Sequence, residues 1–245
     1  MNMTATAVDT IRPINRSEAR SLAATENERV LDLLRSLTDG DWSKPTDCPA
    51  WDVRALAGHI LGGMEGFCSF GRLTHLMRAA KKEAGRGSFV DGMTTVQVRE
   101  RADLSHAELL RRLADAGPRS ARFRSRVPRP FRAMPMKQEL LSGATESWKM
   151  GYLLDTILTR DTWMHRVDIA RATGRAFVQT AEHDGLIVAD AVAEWARRHG
   201  QPFTLELTGT AGGTFTAGSD GEVLSLDAVE LCRIFSGRAT GSGPR

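Results

Sequence analysis

The sequence predicts an α+β protein: a four-helix bundle over residues 1–175, then a small α+β domain over residues 176–245 built around a short antiparallel sheet. Three observations predict it. Up to Gly174 apolar residues recur at helical spacing in long segments. Beyond Gly174 they alternate in short runs divided by Gly-rich turns. The connections between the helical segments differ widely in length, as in bundles whose facing helices build a site in the core.

Residues 1–16 carry no periodic pattern and read as a loose lead-in. A first helix is expected over Ser17–Leu37, with Leu22, Val30, Leu33, Leu34 and Leu37 in phase and Gly40 ending it. Pro45 and Pro49 keep the following connection irregular, and Asp52 can cap a second helix over Val53–Ala84. On that helix His59 shares the apolar stripe of Leu56, Ile60, Met64 and Phe67, while Gly58, Gly62, Gly63 and Gly66 point to close helix approach or to space for a ligand. A third helix is expected over Thr95–Ala116, with His106 facing solvent, and a fourth over Thr145–Thr173, closed by Gly174. Past the boundary come one amphipathic helix, Thr180–Arg198, then strands over Phe203–Leu207, Gly213–Ala217 and Glu222–Ser225. A helix opened by Asp227 runs to Phe235, and the GSGPR tail reads as mobile.

With 41% hydrophobic and 26% charged residues the chain is globular rather than disordered. It has no uninterrupted apolar run of the roughly 18 residues a membrane span needs, and MNMTATAVDTIRP lacks the apolar core of a secretory signal, so a cytoplasmic protein with no membrane partner is expected. Cys48, Cys68 and Cys232 are far apart and form no CxxC, which favours reduced thiols acting as small hydrophobes. The net charge of +3 is local in origin: Arg119, Arg122, Arg124, Arg126, Arg129 and Arg132 crowd a Pro-rich segment read as a basic loop. With no aromatic ladder in that loop, binding of single-stranded nucleic acid is not favoured.

The chemistry concentrates in LLDTILTRDTWMHRVDIARATG, Leu153–Gly174. Asp161 and His165 stand four apart on a helix, so both project from one face as a two-ligand metal arm. Asp168, one turn on, can orient His165 or move a proton, or else pair with Arg171. His59, taken by itself, is open between a hydrogen-bonded core histidine and a ligand.

Three stretches, TDCPAWDVRALAGHILGG, TRDTWMHRVDIARATG and LTGTAGG with DAVELCRIFSGRATG, resemble the mycothiol-dependent maleylpyruvate isomerase family over residues 20–240. The resemblance implies a DinB-like bundle in which the first motif's His and an E-x-x-x-H pair hold a divalent metal, usually zinc. By position these are His59, Asp161 and His165, with Asp161 where the isomerases have Glu. It further implies Asp168 as a proton shuttle and Arg238 as the contact for a dicarboxylate substrate or for the thiol cofactor, mycothiol. The implied chemistry is addition of the thiol to a small electrophile, leading to cis-trans isomerisation or S-transfer. Two alternatives stay open: a metal-dependent hydrolase on the same scaffold, and a non-catalytic module binding an anionic ligand or nucleic acid.

Overall fold

A computed structural model describes residues 5–139 and 143–240, so the GSGPR tail lies outside the described residues. In chain order the elements begin with β1 (Thr6–Ala7), a 3-10 turn (Val8–Thr10), α1 (Arg16–Arg35), α2 (Val53–Gly66) and α3 (Phe70–Ala84). There follow α4 (Phe89–Arg99), α5 (His106–Arg126), the short α6 (Arg129–Ala133), β2 (Pro135–Glu139), β3 (Thr145–Lys149) and α7 (Met150–Tyr152). A π-helical turn (Leu153–Ile157) leads into α8 (Leu158–Thr173); α9 (Asp184–His199), β4 (Phe203–Thr208), β5 (Gly213–Ala217), β6 (Glu222–Asp227) and α10 (Ala228–Phe235) complete the chain. The described residues fall into two compact units, Asn15–Gln138 with Ser147–Phe177, and the described parts of Met1–Ile14, Glu139–Glu146 and Val178–Arg245.

The first unit is a bundle of α1, α2, α5 and α8. Its core joins Val30, Leu31 and Leu34 of α1, Val53, Leu56, Ile60, Leu61 and Met64 of α2, Leu109 and Leu113 of α5, and Ile169 of α8. Each such side chain contributes about 1.5–3 kcal/mol by leaving water, so the apolar spacing read from the sequence decides which faces meet. Sharp N-caps start these helices. Asn15 forms a capping box with Glu18, and the Asp52 carboxylate accepts from the Ala55 amide at 2.7 Å.

Several elements differ from expectation, each for a local reason. The expected second helix is two: α2 ends at Gly66, and Ser69 caps α3. The expected third is likewise α4 and α5, with Ser105 capping α5, and His106 stacks on Trp42 at 4.3 Å instead of standing free in water. The basic segment is helical, in α5 up to Arg126 and again in α6, with a break at Val127 and Pro128. Pro118 sits inside α5, where it costs a backbone bond, yet Leu113, Ala116 and Ala121 on either side are buried, and Asn27 Nδ2 donates to Gly117 O at 3.0 Å. Residues Thr145–Lys149, expected to open the last helix, form β3 and pair with β2.

In the second unit the sheet order is β1-β5-β4-β6. β4 and β5 are antiparallel as expected, but β6 runs parallel to β4 and β1 parallel to β5, so the sheet is mixed. The loose lead-in is therefore corrected: Thr6 and Ala7 extend the sheet beside Phe215 and Thr216. Alternate residues Phe203, Leu205 and Leu207 of β4 are buried, as a half-covered sheet requires. Asp227 caps α10 through the Val229 and Glu230 amides. No helix among the described residues is long and apolar enough to cross a membrane.

Candidate metal centre

Asp161, His165 and Asp168 lie along one face of α8, and α2 brings His59 to meet them. His59 Nε2 is 3.4 Å from Asp161 Oδ2, and His165 Nε2 is 3.3 Å from Asp161 Oδ1. The imidazoles stand edge to face, 4.9 Å between centroids, and one donor atom from each of His59, Asp161 and His165 falls within 4.8 Å of the others. The histidines are buried, at 6% and 4% exposure, whereas the Asp161 side chain keeps 49% of its surface. The cluster therefore opens to solvent on the Asp161 side.

The residues fit a divalent cation. Two imidazoles and a carboxylate are a donor set zinc accepts, and ligands about 2.1 Å from a tetrahedral centre stand about 3.4 Å apart, which the two nitrogen–oxygen separations match, each to its own Asp161 oxygen. His59 Nδ1 is buried with no hydrogen-bond partner among the described residues, so its orientation is set by what Nε2 faces. Desolvation acts to lower the His165 pKa, but Asp161, Asp168 and Cys48 outweigh it and raise it well above the ordinary histidine range. Desolvation likewise acts to raise Asp161, but the charges and hydrogen bonds of His165 and His59 hold its carboxyl well below the usual range.

Behind the pair, Asp168 Oδ2 lies 3.0 Å from His165 Nδ1. A carboxylate on the far nitrogen fixes the ring and leaves Nε2 to face a metal. Asp168 is fully buried (0% exposed), so it holds His165, and Arg171 turns away to Asp47 at 3.4 Å. The Asp161 side chain is not drawn into an ion pair with Arg166 either, because Arg166 is buried against Glu26 at 2.6 Å.

Two residues passed over in the sequence reading line the site. Cys48, there taken as a small hydrophobe, places Sγ 3.6 Å from Asp168 Oδ2 and 4.0 Å from His165 Nδ1. Trp51 stacks on His59 at 4.9 Å. The signal that could have found them is their place in TDCPAW, a loop folded tightly just before α2: Thr46 Oγ1 donates to Trp51 O at 2.8 Å, and the Trp51 amide donates to Cys48 O at 2.9 Å. Arg238 belongs to the other unit, in the turn after α10, where its carbonyl accepts from the Arg233 guanidinium at 3.2 Å.

The family model described as mycothiol maleylpyruvate isomerase N-terminal domain matches residues 23–170. Two solved structures, of the mycothiol-dependent maleylpyruvate isomerase and of a histidine-to-alanine mutant of it, are each similar to this chain with a TM-score of 0.58 and 16% identity. Each match covers 96% of this chain and 92% of that one, and at this identity the likeness is one of fold. No curated protein matches.

Proposed function

Since the chain belongs to the mycothiol maleylpyruvate isomerase family by its N-terminal domain, we propose that it is a metal-dependent enzyme that uses a low-molecular-weight thiol, mycothiol, on a small electrophile. The observation that carries this reading is the pair of imidazole nitrogens at 3.4 and 3.3 Å from the two oxygens of Asp161. His59, Asp161 and His165 would hold the metal, with zinc the best match to the donor set. Three protein ligands leave room for an incoming group, which separates a reactive centre from a closed structural one. The metal, when bound, supplies Lewis acidity that favours the deprotonated form of a thiol near neutral pH.

The chain's own residues do the rest. Asp168 holds the proton of His165 Nδ1 and keeps the ring aimed at the centre. Trp51 packs on the His59 ring and shields it from water on that side. Because Asp168 is buried, its part is orientation, and the proton shuttle implied by the resemblance is set aside. Arg238 is proposed as the anion contact for a dicarboxylate such as maleylpyruvate, since a guanidinium can grip a carboxylate with two parallel bonds. Whether the thiol adduct is resolved to the isomerised alkene or kept as an S-transfer product is decided by the substrate, and we favour isomerisation on the family likeness.

Metal analysis of the purified protein, coupled to an isomerase assay on maleylpyruvate with and without mycothiol, tests the reading. One bound divalent ion in the wild type, none in His59→Ala, and turnover only with thiol are expected. Turnover that proceeds without thiol overturns the thiol-using reading, and metal retained in both His59→Ala and His165→Ala overturns the centre itself.

A further inference from the structure

We infer that Cys48 is a positioning residue of the metal centre: its thiol donates to Asp168 and so fixes the carboxylate that orients His165, without itself binding the ion. This rests on the reading of His59, Asp161 and His165 as the ligands. The imidazole of His165 is held from both sides, with Nε2 3.3 Å from Asp161 Oδ1 and Nδ1 3.0 Å from Asp168 Oδ2. A nitrogen that faces a metal leaves the other to donate, so the Asp168 carboxylate sets the tautomer and the tilt of the ring. Asp168 has no surface open to water. A buried carboxylate must be held by protein donors, and Cys48 Sγ lies 3.6 Å from the same Oδ2 that faces His165, within reach of an S–H donor.

The loop that carries Cys48 is built to hold it there. The Cys48 amide donates to Thr46 Oγ1 at 3.1 Å, its carbonyl accepts from Trp51, and Asp47 beside it pairs with Arg171 of α8 at 3.4 Å. The same loop therefore presents a thiol to Asp168 and an indole to His59, one for each histidine of the centre.

Cys48, His165 and Asp168 also have donor atoms close enough for one ion to reach all three. Three things favour the hydrogen-bonded chain over a second cation site. That site would need both nitrogens of His165 to bind metal. The 3.0 and 3.6 Å separations are ordinary lengths for hydrogen bonds to oxygen from nitrogen and sulfur. The 4.0 Å from Sγ to Nδ1 exceeds the roughly 3.6 Å between thiolate and imidazole donors on one tetrahedral zinc.

Cobalt(II) titration of the metal-stripped full chain, followed by absorption, tests the inference. Cys48→Ala is expected to weaken cobalt binding about tenfold, in the range for lost outer partners of metal-binding histidines, while Cys48→Ser, which keeps a donor, stays within about threefold of wild type. Should Cys48→Ala fail to fold by circular dichroism, Cys48→Val fills the volume without a donor and is expected to show the same loss. Wild type is expected to show d–d bands with no sulfur-to-cobalt charge-transfer band. A charge-transfer band that vanishes in the alanine or valine variant makes Cys48 a ligand and overturns the inference. Equal affinity in all variants overturns it as well. A wild type that binds no cobalt sinks the metal reading on which it rests, a result distinct from both.

Discussion

At the scale of the residue, Asp161 stands where the resemblance read from the sequence implies a Glu, one methylene longer. The short side chain already sets its two oxygens 3.3 and 3.4 Å from the imidazoles, because α2 and α8 pack closely enough to bring them there. Asp161→Glu must therefore fold the added methylene back, which its 49% exposed side leaves room for. Metal affinity in Asp161→Glu is expected within about tenfold of wild type, whereas Asp161→Ala, measured by the same competitive titration, loses a hundredfold or more, as removal of a first ligand exceeds the cost of losing an outer one. Equal loss in both would show that the geometry has no slack. A second residue-scale test lies one position past His165: Arg166 is buried against Glu26 and stacks over Phe177 at 4.2 Å. Arg166→Met removes one partner of this buried ion pair, and denaturant unfolding should show a loss of about 3–5 kcal/mol, largely recovered by adding Glu26→Leu. The i, i+4 spacing made Asp161 and His165 readable from sequence alone, and the family motif added His59. Cys48 and Trp51 left a trace only in their place within TDCPAW, because their closeness to the centre comes from the folding of one loop, which no periodicity reports.

At the scale of the element, the glycines of α2 separate two effects that look alike in sequence. A Cβ on Gly62 would meet Gln97 Cβ of α4 at 2.6 Å, so any side chain there forces α2 and α4 apart. At Gly63 the nearest atom is Gln97 Nε2 at 3.9 Å, an ordinary contact. Gly62→Ala is expected to destabilise the protein by about 1–3 kcal/mol, through overpacking. Gly63→Ala is expected to stabilise it by up to about 1 kcal/mol, through helix propensity. Thermal melts of the two single variants decide the matter, and stabilisation by both would remove close approach as the reason for Gly62. The arginines of the basic segment divide in the same way. Arg124 is buried, donating to Leu154 O and Thr159 Oγ1 at 2.7 Å each, and Arg132 pairs with Asp155, so these two clasp the π-helical turn ahead of the metal arm. In sequence they were indistinguishable from Arg119 and Arg122, since like charges in a row carry no sign of which ones turn inward.

At the scale of the whole molecule, the apolar patterns placed the helical and sheet-forming parts of the chain, while the breaks inside two expected helices, the β2–β3 pair and the long-range pairings escaped them. Thr6 and Ala7 are too few for a pattern, yet they complete the sheet's edge beside β5; the parallel β4–β6 pairing likewise depends on residues 19 apart such as Phe203 and Glu222. Asp41 is another long-range tie, joining the connection after α1 to the end of α8 through Arg175 at 2.7 Å, with Lys44 at 2.8 Å on its other oxygen. Hydrogen bonds from Lys44, Arg175 and Thr38 hold its carboxyl well below the usual carboxylate range, against an opposing push from desolvation. A folded-state pKa below the unfolded one means the tie stabilises above the unfolded value, about 3.9, and is lost as pH falls through the folded one. The melting-temperature gap between wild type and Asp41→Asn should thus be full at neutral pH and begin to close below about pH 4. Arg175→Ala, which removes one of the partners, should narrow that gap at neutral pH. A gap that stays constant into strong acid would mean that Asp41 acts through the shape of its turn and not through its charge.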